Sequence, residues 1–377
     1  MNLYVGPLFR LHFRRCEHFL MLNTTRALID LSAMRHNLEI VRALCPEQRV
    51  LVMVKADGYG HGMLRTAQAL AHADGIGVAR LDEALQLRRA GLRLQRILLM
   101  GTLLDQGEIE VCAHENIDIV VHDLATVDRL CARHKATPLR VWLKLDSGMH
   151  RLGLAPADFH AADTRLRAQP GVEEIIHMTH FAASEDFAGD SAERQFSCFT
   201  TVHGGSESAT SVANSAAIIG RPGMHGDWVR PGIMIYGDNP LAKTHPQPLE
   251  PAMTLLARVL ALRLCDTGER IGYNGIWTCP RPSRIATLGI GYGDGYPRHA
   301  RNGTPVWIRG KRATLVGRVS MDSITIDVTD VDNVRVGDEA ELWGKHLPAA
   351  EIAACAETIS YELFTSIGQR VVREYSE

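Results

Sequence analysis

The chain has 377 residues, 46% of them hydrophobic, enough to bury one large core and a smaller one, so two domains are expected. Its 41 basic and 43 acidic side chains are well mixed and leave a formal net charge of −2, which excludes the electrostatic footprint of a nucleic-acid binder. No uninterrupted apolar run reaches the roughly 18 residues of a membrane span, so no membrane partner is expected.

Residues 1–24 form an N-terminal extension. Its "MNLYVGPLFRLHFRRCEHFL" has arginines but no continuous apolar core, so it is not read as a secretory signal. It is either a weak targeting segment or the product of an early start codon, with Met21 as the alternative beginning. The first helix is predicted at "DLSAMRHNLEIVRALC", capped by Asp30.

From residue 50 onward β-rich runs alternate with helical stretches. The predicted strands are 50–55, 75–79, 97–101, 117–121, 140–146, 174–181, 208–215 and 228–237. Eight parallel-type strands with intervening helices indicate a (β/α)₈, TIM-type barrel over residues 25–245. Pro231 cannot donate to a ladder, so the last strand is expected to start or break there.

"HPQPLEP" (245–251) reads as a linker. Beyond it lie β-rich runs with little helix, and "IRGKRATL" has the look of a hairpin turn. Residues 246–377 are therefore read as a mostly antiparallel β-domain with one late helix at "PAAEIAACAET". The eight cysteines (16, 45, 112, 131, 198, 265, 279, 355) form no C-x-x-C pair, which fits reduced thiols and a cytoplasmic location. His177 and His180 make an H-x-x-H without nearby acidic or thiol ligands, so no metal is expected there.

In such a barrel, chemistry sits at the C-terminal ends of the strands. Lys55 ends the first strand, Lys144 and Asp146 the fifth, His180 the sixth, and Asn214 and Ser215 the seventh, while Arg230 lies in the eighth. Taken alone, Lys55 reads as a solvated strand cap. Enclosed, the same lysine becomes a nucleophilic amine suited to an aldehyde. Barrels bind phosphate near strands seven and eight, where "ANSAA" and "RPGI" supply small residues. A phosphate-bearing aldehyde, pyridoxal 5′-phosphate, suits both ends.

The motifs "VKADGYGHG", "LKLDSGMHRLG", "THF", "ANSAA", "DWVRPGIMIYG", "IGYNG", "GYGDGYP" and "GRVSMD" resemble, in order, those of the bacterial alanine racemases. The resemblance runs from residue 26 to 376. It implies that Lys55 holds pyridoxal phosphate as a Schiff base and then serves as one acid–base group. Racemisation needs a second group on the opposite face of Cα, and Tyr273 matches the family's catalytic tyrosine. Without that match, Tyr273 reads as an aromatic packed in a β-domain. A tyrosine titrates near ~10, so its anion must be stabilised; His180 and Arg230 match the residues that tune it.

The resemblance further implies that Arg230 bonds the pyridine nitrogen and leaves it unprotonated, limiting transamination. Tyr59, Ser215, Tyr361 and the amides of Gly232 and Ile233 match the phosphate-binding set. Arg151 and Met321 match substrate-carboxylate ligands, and Tyr292 and Asp322 the narrow entrance. Lys144 matches a lysine often carbamylated to hold Arg151; the plain alternative pairs it with Asp146. Ser320 and "GYNGIW" depart from common patterns and leave the side-chain range open. The family also implies a homodimer with shared sites and a small-molecule substrate, L- or D-alanine, in D-alanine supply for peptidoglycan or in its breakdown. A broader racemase acting also on serine is the nearest alternative, and a non-catalytic barrel that only carries the cofactor is the other. Tyr273 and the whole second domain argue against the carrier.

Overall fold

The structure, a computed structural model, describes residues 25–93, 95–101, 104–133 and 137–377. The expectations for the N-terminal extension and for Cys16 lie outside these residues.

The chain opens on a strand, β1 (Thr25–Asp30), whose alternate residues are buried. Asp30 then caps the helix Leu31–Leu44, its carboxylate accepting from Ala33 N at 3.1 Å, as the sequence predicts. Eight parallel strands follow and close into a barrel. They are β2 (Arg49–Met53), β3 (Gly75–Val78), β4 (Arg96–Leu99), β5 (Ile117–Val121), β6 (Leu139–Lys144), β7 (Val172–Met178), β8 (Thr210–Ser211) and β9 (Trp228–Val229).

Most of these strands are buried on both faces, and accordingly read as near-continuous apolar runs. The last two are shorter than predicted, for two reasons. Asn214 turns away to cap the helix Ser215–Gly220, accepting from Ala217 N at 3.1 Å. Pro231 ends the ladder after Val229, and a 3₁₀ turn, Ile233–Tyr236, follows.

The second sheet has eight strands: β1 again, with β10 (Met253–Cys265), β13 (Ser283–Leu288), β14 (Pro305–Ile308), β15 (Lys311–Leu315), β16 (Ile324–Asp327), β17 (Glu339–Trp343) and β18 (Val372–Ser376). A separate two-stranded ribbon, β11 (Arg270–Ile271) with β12 (Trp277–Thr278), projects between β10 and β13. All pairings in the larger sheet are antiparallel except that of β1 with β18. The predicted hairpin turn is Arg309–Gly310, both with positive φ, joining β14 to β15.

Two features were not visible in the sequence. Residues 25–30 hydrogen-bond into this second sheet before the chain enters the barrel. A second late helix, Ser360–Thr365, follows the expected one at Ala349–Cys355. Both join the domains, and the later helix carries Tyr361 to the barrel mouth. No helix among the described residues is long and apolar enough to cross a membrane.

Candidate active site

A cavity of about 510 Å³ opens at the C-terminal ends of the barrel strands, lined by Lys55, Tyr59, Lys144, Arg151, His180, Ser215, Arg230, Gly232 and Tyr361 among others. Barrel topology gathers most of them, since Lys55 and Tyr59 follow β2, Lys144 and Arg151 end or follow β6, His180 follows β7, Ser215 follows β8, and Arg230 and Gly232 follow β9, while Tyr361 arrives on the late helix of the second domain.

Lys55 stands two residues beyond β2 and begins an unusual turn. From Ala56 to Gly60 every residue is left-handed, with φ of +53, +55, +62, +52 and +79. Ala56, Asp57 and Tyr59 carry side chains in a conformation that costs L-residues about 1–2 kcal/mol each. Gly60 is required, because a Cβ there would lie 2.0 Å from the carbonyl oxygen of Phe364. The turn aims Lys55 and Tyr59 into one cavity, and strain of this kind collects at functional sites.

Burial lowers the Lys55 pKa, with Arg151 and Arg230 adding to the effect and Glu83 opposing it. The lysine is thus biased toward the free amine. Lys144, at the end of β6, is lowered to about 8 by burial and then by Arg230 and Arg151. Its ammonium makes no hydrogen bond among the described residues. Asp146 is occupied elsewhere, accepting from Gly148 N and His150 N at 3.0 Å each and contacting the His150 ring at 3.1 Å. No close ion pair joins Lys144 to Asp146 among the described residues, because β6 ends at Lys144 and the chain turns, taking Asp146 into its own loop, from which its charge still opposes the lowering of Lys144.

Arg230 is the deepest cation. One terminal nitrogen donates to Ser211 Oγ at 2.6 Å; the other donates to Thr179 O at 2.7 Å and Val212 O at 3.1 Å, and reaches His180 Nδ1 at 3.3 Å. Its Nε has no partner among the described residues, although Arg230 lines the cavity. Burial lowers the guanidinium to about 10, still cationic at neutral pH. Because Arg230 can only donate, His180 Nδ1 must accept, which leaves the proton on Nε2. His180 is held neutral, pushed well below its usual value by burial and by Arg230.

The H-x-x-H divides. His180 faces the cavity, while His177 bonds Asp163 Oδ1 and His203 Nδ1 at 3.0 Å each. An acidic neighbour does exist there, from a helix that sequence spacing could not place beside the strand.

At the other end of the cavity, Ser215 Oγ accepts from Gly232 N at 3.0 Å. Tyr59 stacks on Tyr236 at 4.7 Å, with Tyr361 5.8 Å away. A Cβ on Gly232 would fall 2.5 Å from the Tyr59 hydroxyl, so only glycine lets that hydroxyl approach the loop. Ile233 follows, wholly buried.

This donor set fits pyridoxal phosphate. Three hydroxyls and a glycine cradle mark an anion end. A buried guanidinium edge and an amine of lowered pKa line the same cavity. The excess of cations over carboxylates calls for an anionic guest.

Besides Ile233, which is wholly buried, four expected residues are not brought to this cavity within one chain. Tyr273 opens the 3₁₀ turn Tyr273–Gly275 on the projecting ribbon and is 67% exposed. Met321 and Tyr292 are 53% and 40% exposed, and Asp322 pairs with Arg370 at 2.8 Å. Sequence reasoning missed Glu83, whose Oε1 accepts from Ala56 N at 2.8 Å.

Residues 29–240 match the family model for the alanine racemase N-terminal domain, and residues 252–375 that for the alanine racemase C-terminal domain. A catabolic alanine racemase of Pseudomonas putida is 45% identical over 353 residues, covering 93% of this chain and 98% of that one. The crystal structure of a biosynthetic alanine racemase from Pseudomonas aeruginosa superposes with a TM-score of 0.91 at 41% identity, covering 94% of this chain and all of the other. One from Bartonella henselae, described with covalently bound pyridoxal phosphate, gives 0.86 at 32% identity over 94% of this chain and 99% of its own. With both domains matched and nearly the full length aligned, the chain belongs to the alanine racemase family.

Proposed function

We propose that this protein interconverts L- and D-alanine with pyridoxal phosphate, using Lys55 and Tyr273 on opposite faces of the substrate. The observation that carries the reading is the placement of Lys55 in one cavity with Arg230 and the Tyr59–Gly232–Ser215 cradle. The cofactor, when bound, supplies the electron-withdrawing system that acidifies the substrate Cα–H bond.

Lys55 would hold the aldehyde carbon, since burial favours its neutral, nucleophilic form. Tyr59, Ser215, Tyr361 and the amides of Gly232 and Ile233 would hold the phosphate. Arg230 would face the pyridine nitrogen; as a donor that does not give up its proton, it would leave that nitrogen unprotonated. By that contact Arg230 would keep the electron sink weak and so would disfavour transamination. Arg151 would bind the substrate carboxylate, steadied by a carbamylated Lys144; a lysine lowered to about 8 has enough free amine near neutral pH to react with carbon dioxide.

One proton then leaves Cα to Lys55 or Tyr273 and another arrives from the opposite side. Tyr273 is exposed on its own chain, so we assign it to the cavity of a second copy in a homodimer, together with Met321 at the carboxylate and Tyr292 and Asp322 at the entrance. The reaction runs both ways, which accommodates D-alanine supply and D-alanine breakdown alike.

The test is a racemisation assay over a panel of amino acids with added cofactor. Alanine turnover that is lost in Lys55→Ala supports the reading. Cofactor capture without turnover of any amino acid would identify a carrier, and serine turned over as fast as alanine would identify a broader racemase.

A further inference from the structure

We propose that Glu83 is a positioning residue: its carboxylate clamps the left-handed turn behind Lys55 and thereby fixes where Lys55 and Tyr59 point. The inference rests on the reading that Lys55 carries pyridoxal phosphate.

Most of the turn satisfies itself. Gly58 N donates to Val54 O at 2.8 Å, Gly60 N to Ala56 O at 3.0 Å, and Gly62 N to Asp57 O at 2.8 Å. The amide of Ala56, immediately after Lys55, instead donates to Glu83 Oε1 at 2.8 Å. Glu83 spends its other oxygen on Ala79 N at 2.8 Å and Arg80 N at 3.0 Å, at the start of the helix Leu81–Arg89. A residue that only capped its own helix would stop there. Glu83 carries its second oxygen to a residue 27 positions away, joining the chain that leaves β2 to the chain that leaves β3.

The carboxylate is chemically suited to this bridge. Three N–H groups converge on two oxygens, and only an acceptor-only group serves both sides. A glutamine would turn an NH₂ toward one set of donors and lose that side. Aspartate, one methylene shorter, would not span the gap. Arg373 secures the far flank, donating from Nε to Gly60 O at 2.7 Å and standing 3.9 Å from Asp57 Oδ2. Glu83 is also the carboxylate that opposes Arg151 and Arg230 in their effect on Lys55.

Site-resolved amide exchange on the full chain with cofactor bound is the direct test, comparing wild type with Glu83→Gln and Glu83→Asp. The Ala56 amide should be protected in wild type and exchange about tenfold faster in each variant, as loss of one hydrogen bond implies. Residues 84–89 should keep their protection in the glutamine variant. The dissociation constant for pyridoxal phosphate should rise by about tenfold, while KM for alanine at saturating cofactor stays within about twofold. An unprotected Ala56 in wild type would overturn the proposal whether or not the variants fold. So would variants that loosen only the helix and leave Ala56 unchanged. Faster exchange at Ala56 with unaltered cofactor affinity would uphold the clamp and instead overturn the assignment of Lys55.

Discussion

The hydroxyl of Tyr59 occupies the space that any side chain at position 232 would need, with a Cβ on Gly232 falling 2.5 Å from that oxygen. Tyr59 has little room to retreat. Its ring stacks on Tyr236, whose own hydroxyl donates to Met53 O at 2.8 Å. Gly232→Ala should therefore displace the phenol and the loop amides together. We expect a loss of about 1–3 kcal/mol in stability from overpacking, and a larger effect on pyridoxal phosphate affinity, about ten- to a hundredfold. Equilibrium dialysis against the apoprotein measures the second. Unchanged affinity would remove this loop from the phosphate end.

The opposite end of the barrel should behave differently. Asp118, fully buried in β5, takes Arg140 Nε at 2.8 Å, Arg96 Nε at 3.3 Å and Trp142 Nε1 at 3.0 Å. Asp118→Ala removes the buried acceptor shared by two arginines and an indole, leaving Arg96 its partner Glu174 and Arg140 its partners Asn116 and Glu173, for a cost of about 3–5 kcal/mol. Urea unfolding should report that loss, while kcat per folded molecule stays near wild type, because this face is distant from the strand ends that carry chemistry. A collapse of kcat at full folding would place Asp118 in the catalytic network.

Buried histidines set the response to acid. His61 lies between Tyr236 and Phe364, with Nδ1 on Tyr59 O at 2.8 Å and Nε2 unpartnered among the described residues. Burial lowers its pKa from 6.5 to about 4. The unfolded chain therefore binds this proton more readily than the folded one, so stability is intact above about pH 6.5 and declines as pH falls toward 4. His61 alone contributes about 3 kcal/mol to that decline, and His180, His203 and His225, also lowered, act in the same direction. His61→Asn keeps a donor to Tyr59 O but cannot titrate. Its stability should fall less steeply between pH 7 and 4 than wild type, whatever its absolute value. Parallel slopes would show that His61 titrates normally in the fold.

The barrel and its mouth could be read from sequence because a parallel sheet imposes a simple rule: apolar runs bury, and the polar residue that ends each run faces the site. Lys55, Lys144, His180 and Arg230 all follow it. β1 escaped because its partners, β10 and β18, lie more than two hundred residues later, and "TRALID" is too short to declare its sheet. The left-handed turn escaped for a different reason. "ADGYG" advertises flexible glycines, but the left-handed geometry of Ala56, Asp57 and Tyr59 is imposed by contacts with Glu83, Phe364 and Arg373 that no local pattern encodes.

Lys55 and Tyr273 offer the sharpest test of assembly. Within one chain Lys55 lines the barrel cavity, whereas Tyr273 stands 67% exposed on a ribbon that does not reach it. If a partner chain supplies the tyrosine, each site of a homodimer takes one residue from each subunit. Lys55→Ala and Tyr273→Ala should then each be inactive alone. After unfolding and refolding together, about half of the dimers should be mixed. In a mixed dimer one site carries both defects and the other neither. Activity should return to roughly a quarter of wild type, because half the dimers have one working site of two. If both residues serve the same site from the same chain, every site keeps one defect and the mixture stays dead. Sedimentation of the refolded mixture as dimers excludes failed assembly as the cause, so a silent mixture of intact dimers would rule out the shared site.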